Sequence, residues 1–374
     1  MSKKKIMIIA PTGLSIIKFR ASLIQTLTKS NYDVIVVIGF SKGNEIEQIK
    51  SIATEVISYQ IKNNRVNILK DIKAILKIKN TINSFKPNII ISYTIKPVIY
   101  TGLLIRNSKD IKFIPLITGL GFVFYGNSFI KFFLRNIVLI LYRFSLRNVK
   151  HIIFQNNDNL KFFKKKNIAF LSKKHIINGS GVDSDLFNYS KPPNTSIKFI
   201  MVSRLLYEKG VIEYLKAASI VKIKYPKAKF ILAGEFDDSY DTIKKKLLDT
   251  YTNANLVEYI GYTNDVKKLL LDSHIFVLPS YHEGLPRAVL EAMSIGRPII
   301  TTDAPGCKET VVNGDNGFLI KIKDYDRLAE QMIWFINNTN HIENMGLRSR
   351  LMVEKKFSNK IINNHFLKVL NEYE

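Results

Sequence analysis

Apolar and polar residues along this chain fall into alternating blocks. Short runs rich in Ile and Val, such as Lys5–Ala10, Val34–Gly39 and Asn88–Tyr93, are separated by longer stretches with helical apolar spacing. The short runs read as strands buried on both faces, and the longer stretches as amphipathic helices. In the first half the predicted strands continue with Phe113–Ile117, His151–Gln155 and Lys174–Ile177, and helices such as Ile16–Lys29 and Ile68–Ser84 lie between them. The segment Ser190-Lys-Pro-Pro-Asn-Thr-Ser196 has the composition of a linker. Beyond it the alternation restarts, with strands Lys198–Val202, Lys229–Ala233, Leu256–Ile260, Ile275–Leu278 and Ile299–Thr302 and helices Val211–Tyr225 and Tyr240–Thr252. Such alternation predicts an α/β protein of two doubly wound domains facing each other across a cleft. We expect residues 1–189 to form the first domain and 197–355 the second, with 356–374 a helix crossing back to the first.

The loop after Ile275–Leu278 carries the densest chemistry. It reads Glu283-Gly-Leu-Pro-Arg-Ala-Val-Leu-Glu291, and a helical pattern runs on from Ala288 to Ile295. A strand followed by a loop and a helix puts that loop at the carboxyl edge of a sheet, where open α/β sheets bind ligands. Gly284 lets the backbone approach a ligand closely, and Pro286 suits the first turn of the helix. The amides of a helix start attract a phosphate or another anion. Two carboxylates beside an anion site do not grip the anion; they accept hydrogen bonds from hydroxyl groups next to it. A molecule with a central diphosphate and polyols at both ends is a nucleotide sugar. Acids eight positions apart on a helix are commonly just solvated, and the functional reading rests on the context. An apolar strand precedes them, and Gly296-Arg297-Pro298 closes the helix before the next strand.

At 374 residues, 46% hydrophobic and 11% aromatic, the chain has material for two packed domains. Its one cysteine, Cys307, rules out an internal disulfide and reads as structural; a reducing cytoplasm is the simplest setting. The start, Met1-Ser-Lys-Lys-Lys5, leads directly into a strand too short for the core of a signal peptide. The net charge of +25 is uneven. Residues 1–190 hold 30 Lys+Arg against 9 Asp+Glu, a balance of +21, and the remainder is close to neutral at +4. That asymmetry points the first half at a polyanionic surface, either nucleic acid or an anionic membrane.

Residues 113–130 are free of charge between Lys112 and Lys131, a run of 18. Pro115, Gly119, Gly121 and Gly126 argue for a buried strand and a glycine-rich loop instead of a membrane span. The next helix, 128–147, carries Lys131, Arg135, Arg143 and Arg147 within an arc of roughly 160°, with Phe132, Phe133, Leu134, Val138, Leu139, Leu141 and Phe144 filling much of the rest. Such a helix either lies in a membrane interface or packs on the sheet with its cations in water. Asp237-Asp238-Ser239-Tyr240-Asp241 has the acids for a metal but reads as a solvated turn, so no metal site is expected.

After the linker, Met201-Val-Ser-Arg-Leu-Leu-Tyr-Glu-Lys-Gly210 places Arg204 and Lys209 behind a strand, on the same sheet edge as Glu283. Arginine offers a fork for phosphate oxygens, and lysine a mobile point charge. These residues, with His282-Glu-Gly-Leu-Pro286, Glu291-Ala-Met293, Gly296-Arg-Pro298, Gly314-Asp-Asn-Gly317 and Asn178-Gly-Ser-Gly-Val-Asp183, resemble the family 4 retaining glycosyltransferases of GT-B fold. The resemblance is strongest over about residues 174–335. Within the family it is most similar to bacterial enzymes that extend undecaprenyl-diphosphate-linked glycans for O-antigen, capsule or N-glycan assembly.

The resemblance implies an N-terminal acceptor-binding domain and a C-terminal nucleotide-sugar-binding domain, both Rossmann-like. It implies a donor that is a nucleotide sugar, UDP-linked in the first instance, and a lipid-linked glycan acceptor at the inner face of the plasma membrane. Arg204 and Lys209 would bind the donor diphosphate and stabilise the leaving nucleotide. Glu283 would hold hydroxyls of the transferred sugar, and the amides of Gly284 and Leu285 would contact sugar or phosphate. Glu291 would accept hydrogen bonds from the ribose, and Gly13 in Pro11-Thr-Gly-Leu14 would approach the diphosphate from the other domain. Two departures concern the acceptor side: the first loop lacks paired glycines, and Thr94-Ile-Lys-Pro97 lacks the histidine often found there. The expected chemistry needs no metal or other cofactor and no enzyme nucleophile. The rivals are a sugar-nucleotide 2-epimerase of the same fold and a basic nucleic-acid-binding protein. The latter lacks a zinc-ligand set and a reading helix, so no nucleic-acid partner is expected.

Overall fold

In a computed structural model that describes residues 3–59, 67–121, 124, 129–237 and 241–373, the apolar runs form two all-parallel sheets. The chain divides into two units, Met1–Ser180 together with Ile362–Glu374, and Gly181–Ile361.

The first unit holds seven strands: β1 Lys5–Thr12, β2 Asp33–Phe40, β3 Glu55–Ser58, β4 Ile89–Tyr93, β5 Lys112–Ile117, β6 His151–Phe154 and β7 Lys173–Ile176. Their spatial order is β3-β2-β1-β4-β5-β6-β7. The central strands carry apolar side chains on both faces because helices cover both. Met7 and Ile9 pack with Ile78, Val98 and Leu139 on one side, and Ile6 and Ile8 with Ile16, Leu23 and Phe366 on the other. Each of these buried apolar side chains contributes about 1.5–3 kcal/mol.

One predicted helix of this unit differs from expectation, and part of another region is not described. The stretch predicted as one helix, Ile16–Lys29, is two helices, Gly13–Phe19 and Ala21–Lys29. The break falls at Arg20, whose buried guanidinium lies over the Tyr93 ring, 5.0 Å from its centroid, and whose pKa burial lowers to about 10. The glycine-rich loop after β5 is described only through Gly121 and at Phe124, and the predicted helix start Ser128 lies outside the described residues. The helix that follows spans Phe129–Ser145. It buries Leu139 and Tyr142 against the sheet, but Phe129, Ile130, Phe132, Phe133, Ile137, Ile140 and Phe144 are exposed. Among the described residues no helix is long and apolar enough to cross a membrane.

The second unit holds β8 Lys198–Val202, β9 Lys229–Ala233, β10 Glu258–Gly261, β11 Ile275–Leu278, β12 Ile299–Thr302 and β13 Gly317–Ile320, in the order β10-β9-β8-β11-β12-β13. The predicted helix Tyr240–Thr252 is Lys245–Asn253, and Tyr240 itself is outside the described residues. Segment 190–196, expected as a linker, is fastened to this unit. Arg297, with no exposed surface, donates to the carbonyls of Ser190 and Lys191 on one side and of Leu270 and Leu271 on the other. His274 Nε2 lies 2.9 Å from the carbonyl of Pro193. The compact units change instead between Ser180 and Gly181. The final helix, Asn359–Asn371, belongs to the first unit from Ile362 on, and buries Ile362, Phe366, Val369 and Leu370 with Ile6 and Ile8.

Candidate active site

In the second sheet, strand order reverses between β8 and β11: the chain moves outward from β8 to β9 and β10, then returns to β11 on the other side. Loops leaving neighbouring strands on either side of such a point diverge and leave a crevice at the carboxyl edge. The loop after β8 carries Arg204 and Lys209, and the loop after β11 carries Glu283, Gly284 and Leu285 and leads into the helix Arg287–Ile295, which holds Glu291.

These two loops are packed backbone to backbone. Gly210 adopts φ +75°, and a Cβ there would come within 2.1 Å of the Pro279 carbonyl. Tyr281 N–H donates to the Glu208 carbonyl at 2.9 Å, and the Ser280 hydroxyl donates to the same oxygen at 3.1 Å. From the other side Glu283 N–H donates to the Pro305 carbonyl at 2.8 Å, and a Cβ on Gly306 would lie 2.3 Å from the Glu283 carbonyl. Glu283 is thus held by its main chain from two directions.

The packing brings Lys209 Nζ to 2.7 Å from Glu283 Oε1, with the two side chains only 12% and 17% exposed. Beside them His282 Nε2 lies 3.5 Å from Glu208 Oε2. Burial raises the pKa of Glu208, while Lys209 pulls it down. Arg204 sits further out and donates to Asp237 Oδ2 at 2.7 Å. Asp237, expected as part of a solvated turn, is instead the partner of Arg204, because β9 lies next to β8 and its following loop runs alongside. Asp241 is held in the same way, accepting from Glu208 N–H at 2.9 Å. Asp238, Ser239 and Tyr240 lie outside the described residues.

Glu291 accepts from Arg287 Nε at 2.7 Å, an i,i+4 pair on the first turns of the helix. The candidate carboxylates therefore each face a cation, Glu283 to Lys209 and Glu291 to Arg287. Pro286 is the N-cap of this helix, one position before its first turn, and its carbonyl accepts from Val289 and Leu290. Leu285 turns its side chain into the core beneath. Cys307 is fully buried, and burial, with Glu283 nearby, pushes its thiol up to about 12. That is a packed, inert cysteine.

Gly13 belongs to the first unit. It follows β1, opens the helix Gly13–Phe19, and a Cβ there would strike Ser41 Oγ at 2.4 Å. Close packing against the loop after β2 is a sufficient reason for glycine at this position. Nearby, Ser15 Oγ and Tyr93 Oη lie 2.8 Å apart, and Lys96 pairs with Asp71 at 2.8 Å. Sequence reasoning gave no site role to Arg287, Glu208 or His282, and read Asp237 as a solvated acid. Of these only Arg287 had a local signal, a cation four positions before Glu291 in a helical pattern.

Two family models match the chain: Glycosyl transferase 4-like over residues 5–156, and Glycosyl transferases group 1 over residues 183–352. The chain is 27% identical over 337 residues to the N,N'-diacetylbacillosaminyl-diphospho-undecaprenol alpha-1,3-N-acetylgalactosaminyltransferase of Campylobacter jejuni, covering 86% of each chain. It is 26% identical over 287 residues to the UDP-Gal:alpha-D-GlcNAc-diphosphoundecaprenol alpha-1,3-galactosyltransferase of Escherichia coli, covering 72% of this chain and 71% of that one. Among solved structures, sucrose-phosphate synthase from Thermosynechococcus elongatus shares the fold over 99% of both chains, with a TM-score of 0.81 at 17% identity.

Proposed function

Because this chain belongs to the glycosyltransferases, with a family 4 type N-terminal half, a group 1 C-terminal half and the GT-B fold, we propose that it is a retaining enzyme of bacterial surface-polysaccharide assembly. It moves a hexose or N-acetylhexosamine from a UDP-linked donor to a lipid-linked glycan acceptor. The lipid-linked acceptors of the Campylobacter jejuni and Escherichia coli relatives support the acceptor class, and the UDP-galactose of the latter supports the base.

The observation that carries the reading is the Lys209–Glu283 pair at the strand-order reversal of the second sheet. In transfer, the bond from the anomeric carbon to the donor phosphate breaks while the acceptor oxygen bonds to that carbon on the same face. Positive charge develops on the sugar and negative charge on the diphosphate. Arg204 and Lys209 answer the second, joined by the amides of Gly284 and Leu285, and fixed donors of this kind are worth most where water is excluded. Glu283 accepts from sugar hydroxyls and favours the developing cation. The departing phosphate oxygen takes the proton of the acceptor hydroxyl, so no enzyme nucleophile, metal or other cofactor enters. Glu291, oriented by Arg287, accepts from the ribose.

The first unit meets the acceptor at an anionic inner-membrane surface. Support comes from the balance of +21 over residues 1–190 and from the helix Phe129–Ser145, whose exposed phenylalanines and isoleucines are interleaved with Lys131, Arg135 and Arg143 and followed by Arg147. Apolar side chains entering the headgroup region with cations at lipid phosphates is the arrangement of an interfacial helix. The deciding experiment is a screen of UDP-sugars with a short-chain polyprenyl-diphosphate glycan, read by mass spectrometry. A mass gain of one sugar residue is expected with one donor. Conversion of the donor to an epimer without any acceptor would overturn the transferase reading.

A further inference from the structure

At one edge of the first sheet, its last two strands hold a cluster that sugar transfer does not use. β6 and β7 run parallel with His151 opposite Lys173 and Ile153 opposite His175. Side chains two apart on a strand share a face, so His151, Ile153, Lys173 and His175 project to one side. On that side Ile153 packs with Phe366, Val369 and Leu370 of the helix Asn359–Asn371. The residues after that helix then lie over the histidines. Tyr373 tilts against the His151 ring with centroids 4.3 Å apart, and Glu372 turns its carboxylate toward both imidazoles.

We propose that His151 Nδ1, His175 Nε2 and Glu372 Oε2 form a site for a divalent transition-metal cation of the zinc type, which clasps the end of the returning helix to β6 and β7. The two nitrogens are 2.9 Å apart, and the oxygen is 3.9 Å from the first and 3.8 Å from the second. A triangle with those sides has a circumscribed radius of about 2.1 Å, the length of a zinc–imidazole bond. One point is therefore at bonding distance from all three atoms. A tetrahedral face at that bond length has edges of about 3.4 Å, so it is reached by widening the imidazole pair and drawing the carboxylate in by about half an ångström each, which leaves the fourth vertex open to water. Two imidazoles and a carboxylate suit zinc, cobalt or nickel, whereas magnesium and calcium take oxygen ligands.

Both histidine side chains are only 12% exposed. Burial lowers their pKa values, with Glu372 pulling the other way. The cations around the cluster oppose the site. Lys173 Nζ lies 2.8 Å from Glu372 Oε2 and competes for it, and Lys150 adds positive charge beside His151. The Lys173 side chain is 61% exposed and is free to swing into water when a metal takes the carboxylate.

The test uses the full-length chain without a histidine tag, stripped with EDTA and titrated with cobalt(II) chloride. One equivalent is expected to bind, with visible d–d absorption that zinc(II) then abolishes, and saturating zinc should raise the melting temperature. Glu372→Gln and His175→Gln should each weaken binding at least about tenfold, in keeping with loss of one of three ligands. Lys173→Met, which removes the competitor, should tighten it. Glu372 and Lys173 are exposed enough that these two variants fold even if His175→Gln does not. Absence of a cobalt spectrum overturns the proposal. So does stoichiometric binding that Glu372→Gln leaves unchanged, and so does weaker binding in Lys173→Met.

Discussion

Lys209 and Glu283 stand 74 residues apart in sequence and 2.7 Å apart in space, each anchored by the loop of a different strand. The ion pair keeps a lysine and a carboxylate in register at the edge where the sheet changes direction. In the proposed reaction Lys209 would be shared between Glu283 and the diphosphate, and Glu283 would be freed to take a sugar hydroxyl. The pair thus holds both groups ready without spending either on solvent.

Glu283→Gln should lower turnover at least about tenfold, or about 1.4 kcal/mol of transition-state stabilisation, because an amide answers developing positive charge less well than a carboxylate. Steady-state kinetics on a variant with wild-type melting behaviour checks this. Turnover equal to wild type would remove Glu283 from the site.

Arg204→Ala and Lys209→Ala should both impair donor use. Each deletes a charge-assisted contact to the diphosphate, worth about 1.5–3 kcal/mol when formed. UDP affinity by calorimetry and the rate with donor separate binding from chemistry. If neither changes, the diphosphate lies elsewhere.

Arg297→Ala should destabilise the second unit by at least about 3 kcal/mol, since four main-chain carbonyls lose a buried donor. For a unit of this size that is a fall in melting temperature of roughly 6–12 °C. Arg297→Lys should recover only part of it, because an ammonium cannot span both sides as the guanidinium does. Differential scanning calorimetry reads both variants.

Reversing Lys131, Arg135, Arg143 and Arg147 to Glu should abolish flotation with anionic liposomes at low salt and leave activity on a soluble acceptor largely intact. Basic residues near such a surface contribute about 1 kcal/mol each, and salt screens them. Phe132→Ser with Phe133→Ser should weaken flotation in a way that salt does not mimic. Wild-type flotation of the charge-reversed chain would place the lipid contact elsewhere.

EDTA should leave sugar transfer intact, measured as product mass per unit time. A large loss that magnesium or manganese restores would overturn the metal-free mechanism.

The strands were legible because burial on both faces leaves an unmistakable composition: Lys198–Val202, Lys229–Ala233, Ile275–Leu278 and Ile299–Thr302 were read to the residue. Two of the edge strands were not read: Glu55–Ser58 begins and ends on a polar residue, and Gly317–Ile320 opens on a glycine inside a turn-like Gly-Asp-Asn-Gly run. The helix break at Arg20 was hidden because nothing local marks an arginine that will be buried over an aromatic ring. At the site, Glu283, Glu291, Arg204 and Lys209 could be picked out from loop chemistry and from the family resemblance. Apart from Arg287, four positions before Glu291 in the same helix, their partners depended on strand order. Arg204 meets Asp237 because β9 flanks β8, and His151 meets His175 because β7 flanks β6. Neither neighbourhood is written in local spacing.

The return of Ile362–Leu370 to the first unit has a consequence during synthesis. The ribosome delivers residues 1–180 first, yet the pocket between Ile6, Ile8 and their neighbours stays open until Phe366 and Val369 emerge. At about 5–20 residues per second, the intervening unit takes roughly 10–40 s to pass. Throughout that interval the nascent first unit exposes a strip of isoleucine and leucine, the kind of surface that chaperones hold. Sealing it last means that the first unit is completed only after the whole of the second has been made, so the two halves of the enzyme are finished together.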